Sequence, residues 1–512
     1  MLGRRRLGRI SLGVALLGAA LLTLTACAGG SVFPQADGAH PAAIATNVPN
    51  PATTTQPAPD PVSLTTTAPR QSGGVIASAG PTAPYNYAPT VLFSRGQYRM
   101  WWCSQLPGAL RPGDEILSGT SASPDGPFTG TGGAQADIVF GNSANGFDSL
   151  HTCDPSVIQV GGTYYLYYTG TSDPAGNNNA IGLATSTDGT HWTRANGGRP
   201  VVTASGEVHR ANSYGAGQPS ALYLNGWFYL MFTDTTGKAA AANGAGQFVL
   251  RAENPTFTSG VQALGPEGFA PVSNPASSRQ FSVLNGFTSD WMWVDALNAF
   301  AIAADNGNGT QITFWDPTFR YHPYLPITIA GAWQEGPGWI RRADGHALVN
   351  TADPCGTVAL DLVRATQQAG GPTGLAHFGV TVSGVDGCGT TAQALTVLNG
   401  FAVPSPERTV DLVVGQKLVE VERRSVAAGL AQAILAEPVP ALAGVPVETT
   451  IPAGAQAVVA PGRAVGLILT GNKIWVIGST ALAAANSSTV ATVSTAQWDG
   501  YPRGLDLTDL RP

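Results

Sequence analysis

Two acidic residues open short segments that are rich in glycine and aromatic residues, and they are the first candidates for chemistry. Asp154 opens the segment DPSVIQVGGTYYLYYTG, and Glu335 opens the segment EGPGWIRRADGHALVN. Two carboxyl groups can share the work of hydrolysis, because a protonated one donates a proton while an ionised one accepts one. Both residues could instead have a purely structural role in turns, because Asp before Pro is a common turn cap and Glu-Gly-Pro can simply reverse the chain. A catalytic role for both residues requires a fold that brings the two segments to one centre.

An internal repeat predicts such a fold. Similar segments begin at Ala88, Asp154 and Gln218, at spacings of 66 and 64 residues (88 to 154 and 154 to 218). Each segment predicts a strand, a tight glycine-containing turn and a second strand rich in aromatic residues. A third strand with a turn signature follows, as in GTSASPDGPF and GLATSTDGTHW. The repeating element is therefore a small antiparallel sheet.

Two weaker copies extend this repeat towards the middle of the chain. The fourth is the degenerate DWMWVDALNAFAIAAD, and the fifth is EGPGWIRRADGHALVN with TVALDLVRAT. One sheet of about four strands cannot bury both faces unless neighbouring copies stack around an axis, as in a β-propeller. The sequence therefore predicts an all-β fold, a five-bladed β-propeller over residues 86–400, with four or six blades as alternative counts.

The segments DPSVIQVGGTYYLYYTG, GLATSTDGTHW and EGPGWIRRADG resemble the five-bladed propellers of glycoside hydrolase family 43 and its relatives, the arabinanases, arabinofuranosidases and xylosidases. The resemblance implies an Asp base that opens the first blade, an orienting Asp in the second blade and a Glu acid in a later blade. Asp154 matches the second position, and Glu335 matches the acid motif in the fifth repeat rather than the third. The first and third positions hold Ala88 and Gln218, and an alanine cannot take a proton from water.

Other side chains near the expected mouth of the propeller are therefore candidates. The alternative bases are Asp148, Glu207 and Asp295, each of which is more typical of a solvent-exposed loop residue. The candidates for substrate binding are His151, Gln218, Tyr214 and Trp293, because aromatic rings offer sugars a flat stacking surface. We expect His151 to be a hydrogen-bonded wall residue rather than a metal ligand. The resemblance allows a divalent cation on the propeller axis, but no ligand set in the sequence requires a cofactor.

The N-terminal region predicts export. A basic start, MLGRRRLGRI, is followed by a short apolar run and by Leu24-Thr25-Ala26-Cys27, which resembles the bacterial lipobox. That resemblance implies cleavage before Cys27 and a lipid on its thiol, and an ordinary signal peptide is the alternative. Residues 28–85 are dense in Pro, Thr, Ala and Gly and predict a disordered tether. We therefore expect an exported protein that is lipid-anchored to the outer face of the cell membrane.

Four further cysteines predict two disulfides in an exported chain. Proximity in the sequence suggests Cys103 with Cys153 and Cys355 with Cys388, although four cysteines allow three sets of pairs. Residues 401–512 contain a second repeat, LVVGQKLVEVERRSVAAG and LILTGNKIWVIGSTALAA, 55 residues apart (412 to 467). This repeat predicts a small C-terminal domain of two hairpin-plus-helix units. It resembles a repeat of some secreted bacterial envelope proteins, and by that association we expect contact with the cell wall.

The composition excludes a nucleic-acid partner, because the net charge is −6 and only 11% of the residues are charged. The leading hypothesis is a glycosidase that acts on a polysaccharide or oligosaccharide, with a pentose-containing polymer favoured. The alternatives are a noncatalytic carbohydrate-binding propeller and a structural protein of the envelope. The hydrolase hypothesis requires Asp154 and Glu335 to meet in one central depression.

Overall fold

The computed structural model describes residues 58–80, 83, 85–105, 113–366, 373–405, 407–508 and 510. The predicted signal peptide (1–27), with Cys27, and residues 28–57 of the predicted tether lie outside the described residues. Strands dominate the part of the chain that is described, and its α-helices are six or seven residues long. None of these helices has the length and apolar character that crossing a membrane would require.

The strands between residues 65 and 383 form a series of antiparallel units. Strand β1 (Thr65–Gln71) comes first, followed by unit 1 with β2 (Tyr87–Ser94), β3 (Gln97–Ser104), β4 (Glu115–Ser121) and β5 (Asp137–Phe140), and by unit 2 with β6 (His151–Val160), β7 (Thr163–Thr171), β8 (Ala180–Ser186) and β9 (Thr193–Arg194). Unit 3 contains β10 (Ala216–Leu224), β11 (Trp227–Asp234), β12 (Gln247–Ala252), β13 (Gln262–Gly265) and β14 (Gly268–Pro271). Unit 4 contains β15 (Ser289–Val294), β16 (Ala299–Asn306), β17 (Gly309–Trp315) and β18 (Ile327–Ala330), and unit 5 contains β19 (Pro337–Arg342), β20 (Thr357–Ala365) and β21 (Leu375–Ser383).

Two-residue turns join the first and second strands of units 1, 2 and 3. They consist of Arg95-Gly96, Gly161-Gly162 and Asn225-Gly226, and φ is positive at both residues of each turn, between 51° and 85°. Turns of this kind match the right-handed twist of the flanking strands, and glycine adopts the required conformation without steric cost. The glycine pattern of the sequence therefore sets the hairpin register of units 1, 2 and 3.

Unit 5 takes its outermost strand from the beginning of the described chain. Strand β1 pairs antiparallel with β21, and Arg70 Nε donates to Asp361 Oδ1 at 2.7 Å. The prediction of a disordered tether over residues 28–85 is therefore wrong for residues 65–71. Most side chains of β1 are exposed, so this polar edge strand lacks the apolar alternation by which strands are found in a sequence.

The first strands of the units contact one another in a closed ring. Strand β2 contacts β6, β6 contacts β10, β10 contacts β15, β15 contacts β19, and β19 pairs in parallel with β2. Side chains tie neighbouring strands: Ala221 N donates to Ser156 Oγ at 2.8 Å, and Trp339 N donates to Asp290 Oδ2 at 2.7 Å. The arrangement is propeller-like, because each sheet turns its first strand towards a common axis.

Arg341 on β19 fills the place where the first strands converge. Its buried guanidinium donates to the carbonyl of Trp291 at 2.5 Å and to Asp290 Oδ1 at 3.3 Å. It also reaches Thr90 Oγ1 at 3.4 Å and Ser156 Oγ at 3.3 Å. These contacts extend from β19 to β2, β6 and β15, so the guanidinium lies on the axis. The axial place, for which the family resemblance allowed a divalent cation, is thus filled by a side-chain cation.

The described residues contain two disulfides, and they are the pairings that proximity in the sequence suggested. Cys103–Cys153 joins β3 of unit 1 to β6 of unit 2, and Cys355–Cys388 joins two loops on either side of the last hairpin of unit 5. The first disulfide lies directly beside Asp154 in the chain. It therefore fixes units 1 and 2 to each other at the end of the sheets where that residue lies.

The chain beyond residue 390 forms two small sheets with short helices. Its elements are α1 (Thr391–Val397), β22 (Ala402–Pro404), β23 (Val410–Val414), β24 (Lys417–Val421), α2 (Arg424–Leu430), β25 (Val447–Ile451), β26 (Ala457–Val459), β27 (Val465–Leu469), β28 (Lys473–Gly478), α3 (Thr480–Ala485), β29 (Val490–Thr492), α4 (Thr495–Gly500) and β30 (Arg503–Asp506). A single apolar cluster includes Phe314 of unit 4, Leu362 of unit 5, Leu395 of α1 and Val413 of β23. The C-terminal region therefore packs against units 4 and 5.

Candidate active site

A repeated backbone distortion marks the start of the first strand in units 1, 2 and 3. Ala88, Asp154 and Gln218 have φ values of 45°, 49° and 51°, and each precedes a proline. The pairing register with the second strand shifts at the same place in all three units. Left-handed backbone costs a non-glycine residue about 1–2 kcal/mol, and a bulge of this kind re-aims a side chain. Its recurrence places Ala88, Asp154 and Gln218 at equivalent positions of their units.

Glu335 enters the same region from unit 5. The next residue, Gly336, precedes a proline and has a φ of 64°, so Gly336 is the counterpart of Ala88 in unit 1. A Cβ on Gly336 would lie 3.0 Å from the Cα of Ala88 and 3.4 Å from Cγ2 of Thr288. Glycine avoids both the strain of this φ and the tight contact that a Cβ would make with Ala88. Glu335 therefore lies one residue before the unit 5 counterpart of Asp154 and Gln218. It is also close to Ala88, where the first unit has no carboxylate.

Gln218 holds the carboxyl group of Glu335. Its amide Nε2 donates to Glu335 Oε1 at 3.2 Å, and its Oε1 accepts from the hydroxyl of Thr288 at 3.0 Å. The hydroxyl contact leaves the amide nitrogen as the group that faces Glu335. Units 3, 4 and 5 thus fix one oxygen of Glu335, and Oε2 is the oxygen on which a proton can reside.

The surroundings of Glu335 favour its protonated form. Burial raises the pKa of this carboxyl well above its usual value, and the negative charges of Asp154 and Asp114 raise it further, while the Gln218 hydrogen bond acts in the opposite direction. Burial disfavours the charged form because a low-dielectric surrounding solvates a carboxylate poorly. A buried carboxyl group that keeps its proton is suited to act as a general acid.

Asp154 lies in the same buried cluster. Burial raises the pKa of its carboxyl, while the charge of His151 and hydrogen bonds from Thr169 and Tyr214 lower it. The Tyr214 hydroxyl donates to Asp154 Oδ2 at 3.3 Å. The structure therefore brings together five of the residues singled out in the sequence: Asp154, Glu335, Gln218, Tyr214 and His151.

A third carboxylate, Asp114, belongs to this cluster and was missed in the sequence. The buried hydroxyl of Tyr87 donates to Asp114 Oδ2, and Nδ1 of His151 lies 3.7 Å from the same oxygen. The backbone of Asp114 is also fixed, because its carbonyl accepts from Thr152 N at 3.2 Å. Its charge raises the pKa of Glu335, as described above.

The position of Asp114 could have been found by following strand direction. Strand β2 starts at the site, β3 returns to it, and β4 starts from it again, since the three strands are antiparallel. A residue just before β4 must then lie at the same end as Ala88. Asp114 immediately precedes Glu115, the first residue of β4. The repeat comparison missed Asp114 because in unit 1 it covered the first hairpin and the chain from Gly119 onwards, and Asp114 lies between these two segments.

Two of the alternative bases have structural roles, so their predicted site role is wrong. Asp148 is fully buried beneath unit 2, where Arg194 Nε donates to its Oδ2 at 2.7 Å and the Tyr168 hydroxyl donates to the same oxygen at 2.9 Å. Glu207 is exposed and accepts from the backbone N–H groups of Lys238 at 2.9 Å and Arg279 at 2.8 Å. Its carboxylate thus joins two loops of unit 3.

Asp295 and Trp293 lie at the opposite end of the first strand of unit 4, away from Glu335. Asp295 follows the last residue of β15, whereas the site lies at the first residues of that strand. Its carboxylate accepts from the indole N–H of Trp293 at 3.0 Å and contacts His346 Nδ1 at 3.1 Å. Trp293 is buried against Phe300. The predictions of a base at Asp295 and a sugar platform at Trp293 are therefore wrong.

One group of described side chains has the mutual proximity that a metal ion would need. The ligand atoms of Cys103, Asp114 and Cys153 lie within 4.8 Å of one another. The two sulfur atoms are joined in a disulfide, so neither can act as a thiolate ligand. This group therefore does not fit a metal centre, and it shows instead how near the Asp114 carboxylate lies to the disulfide.

Comparisons with known proteins show that the fold of this chain is similar to those of several solved structures. No protein-family profile and no curated protein matches the chain. A family 117 glycoside hydrolase from the marine bacterium Zobellia galactanivorans is 14% identical, with a TM-score of 0.42 over 62% of this chain and 90% of that chain. An α-L-arabinofuranosidase from Podospora anserina is 12% identical, with a TM-score of 0.39 over 62% of this chain and 98% of that chain. At these values the similarity assigns no activity, and the geometry of the site must carry the functional argument.

Proposed function

We propose that this protein is a glycoside hydrolase of the five-bladed propeller type, acting on a polysaccharide or oligosaccharide at the ring of first strands. The observation that carries the proposal is the cluster of the half-buried Glu335, held by Gln218, and the buried Asp154, held by Tyr214, two carboxyl groups from different units. Glycoside hydrolysis requires an acid that keeps its proton beside a carboxylate of another role. The surroundings of Glu335 favour a carboxyl group that keeps its proton, which is the first of these two requirements.

Glu335 is the general acid in this proposal. Its Oε1 is held by Gln218, which leaves Oε2 to deliver the proton to the leaving oxygen of the sugar. The negative charge of Asp154 raises the pKa of Glu335, so Asp154 favours the protonated form of this acid. Tyr214 in turn orients Asp154. Asp154 is a positioning residue in this scheme, and its acidity is tuned by its own burial.

The test is hydrolysis by the full chain in detergent solution. Arabinan, xylan and arabinogalactan are incubated with the wild type, with Glu335→Gln and with Asp154→Asn, and released reducing sugar is measured. We expect release from at least one polymer by the wild type and a loss of about a hundredfold or more in both variants. Glu253→Gln is the matched control, because Glu253 is exposed on the loop after β12. Equal release by the wild type and Glu335→Gln would refute the role of the acid.

A noncatalytic carbohydrate-binding protein is the second candidate, and Ala88 favours it. The position at which the resemblance places the base holds a methyl group, so the site has lost one carboxylate of the usual pattern. In that case the wild type and both variants would bind one of the polymers with equal affinity in isothermal titration calorimetry, and no reducing sugar would be released.

The cellular setting that we propose follows from the N-terminal sequence. A lipid on Cys27 would hold the protein at the outer face of the cell membrane, and the C-terminal repeats over residues 401–512 would contact the cell wall. Mass spectrometry of the N-terminal peptide from the native membrane fraction tests the lipid. The expected result is a peptide that begins at a diacylglyceryl-modified Cys27.

A further inference from the structure

We propose that Asp114 is the catalytic base of this site and replaces the carboxylate that is missing at Ala88. The inference rests on the proposed hydrolase function and deepens it, since it assigns the second reacting group. In the family resemblance the base opens the first strand of the first unit. In this chain the base comes instead from the loop that leads into the third strand of the same unit.

Asp114 lies next to the first two repeated positions. The Tyr87 hydroxyl contacts the Asp114 carboxylate, and Tyr87 directly precedes Ala88. The same carboxylate lies within 4.8 Å of the Cys153 sulfur, and Cys153 directly precedes Asp154. Asp114 is therefore bracketed by the neighbours of the first two repeated positions. Its charge reaches Glu335 strongly enough to raise the pKa of that acid.

The contacts of Asp114 orient its carboxylate. The contacts from Tyr87 and His151 both fall on Oδ2 of Asp114, so Oδ1 is the oxygen left to accept a proton from water. The backbone of Asp114 is tied to Thr152 of unit 2, and the disulfide fixes that strand to unit 1. A base must be held rigidly, because a displacement of one ångström from the productive geometry can cost about a hundredfold in rate.

The carboxylate of Asp114 is accessible to solvent. The side chain of Asp114 is 13% exposed, and that of His151 is 15% exposed. By contrast, Asp148, Asp290 and Asp295 are buried in ion pairs with arginine. Asp114 thus combines a place in the Glu335 cluster with contact to solvent, which a base that activates water requires.

The reaction step balances with these two groups. Asp114 takes a proton from water while the water oxygen forms a bond to the anomeric carbon. The bond from that carbon to the leaving oxygen breaks, and Glu335 gives its proton to that oxygen. The products are a free sugar and an alcohol, and the anomeric configuration is inverted. Asp114 ends protonated and Glu335 ionised, and proton exchange with solvent restores both groups.

The test compares Asp114→Asn with Glu335→Gln on two kinds of substrate. The substrates are 4-nitrophenyl and 2,4-dinitrophenyl glycosides of arabinofuranose and xylopyranose, together with the polymer that the wild type hydrolyses. We expect Asp114→Asn to lose about a hundred- to ten-thousandfold in kcat on every substrate. The loss in Glu335→Gln should shrink on the dinitrophenyl glycosides, because that leaving group departs without a proton. The isosteric change and an unchanged thermal melt exclude misfolding, and Asp60→Asn, at an exposed aspartate, is the control.

Sodium azide separates a base from a structural residue. Azide attacks the anomeric carbon without losing a proton, so it should restore at least tenfold activity to Asp114→Asn and form a glycosyl azide of inverted configuration. It should not restore Glu335→Gln on the nitrophenyl glycosides. A wild type that hydrolyses its substrate while Asp114→Asn keeps more than a tenth of its kcat overturns the assignment of the base and leaves the hydrolase proposal standing. A wild type that hydrolyses none of the substrates overturns the hydrolase proposal itself.

Discussion

Removing the axial arginine should destabilise the ring of first strands. The change is Arg341→Met, which keeps the length and much of the apolar volume of the side chain but deletes its charge and its donors. Asp290 then keeps a buried negative charge with two donors, the hydroxyl of Ser220 and the backbone N–H of Trp339. The guanidinium contacts of the Trp291 carbonyl are lost at the same time.

The magnitude follows from the burial of this pair. Removing one partner of a buried ion pair costs about 3–5 kcal/mol, because the other charge is left uncompensated. Since Asp290 keeps two donors, we expect about 3 kcal/mol from the ion pair. The carbonyl of Trp291 adds about 1 kcal/mol as an acceptor left unpaired. The expected total is about 4 kcal/mol in the free energy of unfolding.

The assay is urea unfolding followed by tryptophan fluorescence, since Trp291 and Trp339 are buried beside the arginine. Asp290→Asn with Arg341→Met forms a double-mutant cycle, and the double variant should recover about 2 kcal/mol relative to Arg341→Met because no buried charge remains. Arg341→Lys should not rescue the protein, since an ammonium group cannot replace the planar fork of donors. A loss below 1 kcal/mol in Arg341→Met, or strict additivity with Asp290→Asn, would contradict the reasoning.

Three further predictions concern the site and its frame. In a profile of kcat against pH, the rate should fall as pH rises past the elevated pKa of Glu335. Asp154→Asn should move this fall to lower pH, because the variant removes a negative charge that raises the pKa of Glu335. A fall at unchanged pH in the variant would argue against Glu335 as the acid. Replacing both Cys103 and Cys153 by alanine should lower the unfolding free energy by about 4 kcal/mol, the loop-closure value for a separation of 50 residues, and calorimetry of the variant tests it. Deleting residues 58–71 removes β1, and analytical ultracentrifugation should then show association through the uncovered edge of β21, whereas a monomeric product would show that this edge is harmless.

The sequence repeat predicted the inner part of the site because the fold repeats with it. The X-Pro dipeptides at Asp154 and Gln218 adopt the same bulged backbone, and the resemblance to an acid motif at Glu335 was enough to place all three in one cluster. The order of the antiparallel units along the chain follows from the same hairpin periodicity. Local patterns of this kind are readable because strand alternation and turn chemistry act over a few residues.

The remaining site residues depended on information that a repeat does not carry. Asp114 lies outside the aligned hairpins, and its place follows only from the return of the third strand. Asp148 is near Asp154 in the chain, but its side chain turns inward to Arg194. For Asp295, the error was one of strand direction, since alternation along β15 does not tell which end faces the site. The places of these three residues depend on contacts between segments that are far apart in the chain, and local sequence propensity does not determine such contacts.

The origin of β1 also sets the order in which the sheets can be completed. Strand β1 is made early in synthesis, yet its partner strand ends at Ser383, so the two cannot meet until more than half of the chain has been made. Contacts of such sequence separation form slowly, because the closure entropy of the intervening loop must be overcome first. During this wait the segment TTTAPRQ stays exposed, and its threonines, proline and arginine make it a poor template for pairing with another chain. Docking of this strand thus completes the outer edge of unit 5 and joins the start of the described chain to the last antiparallel unit.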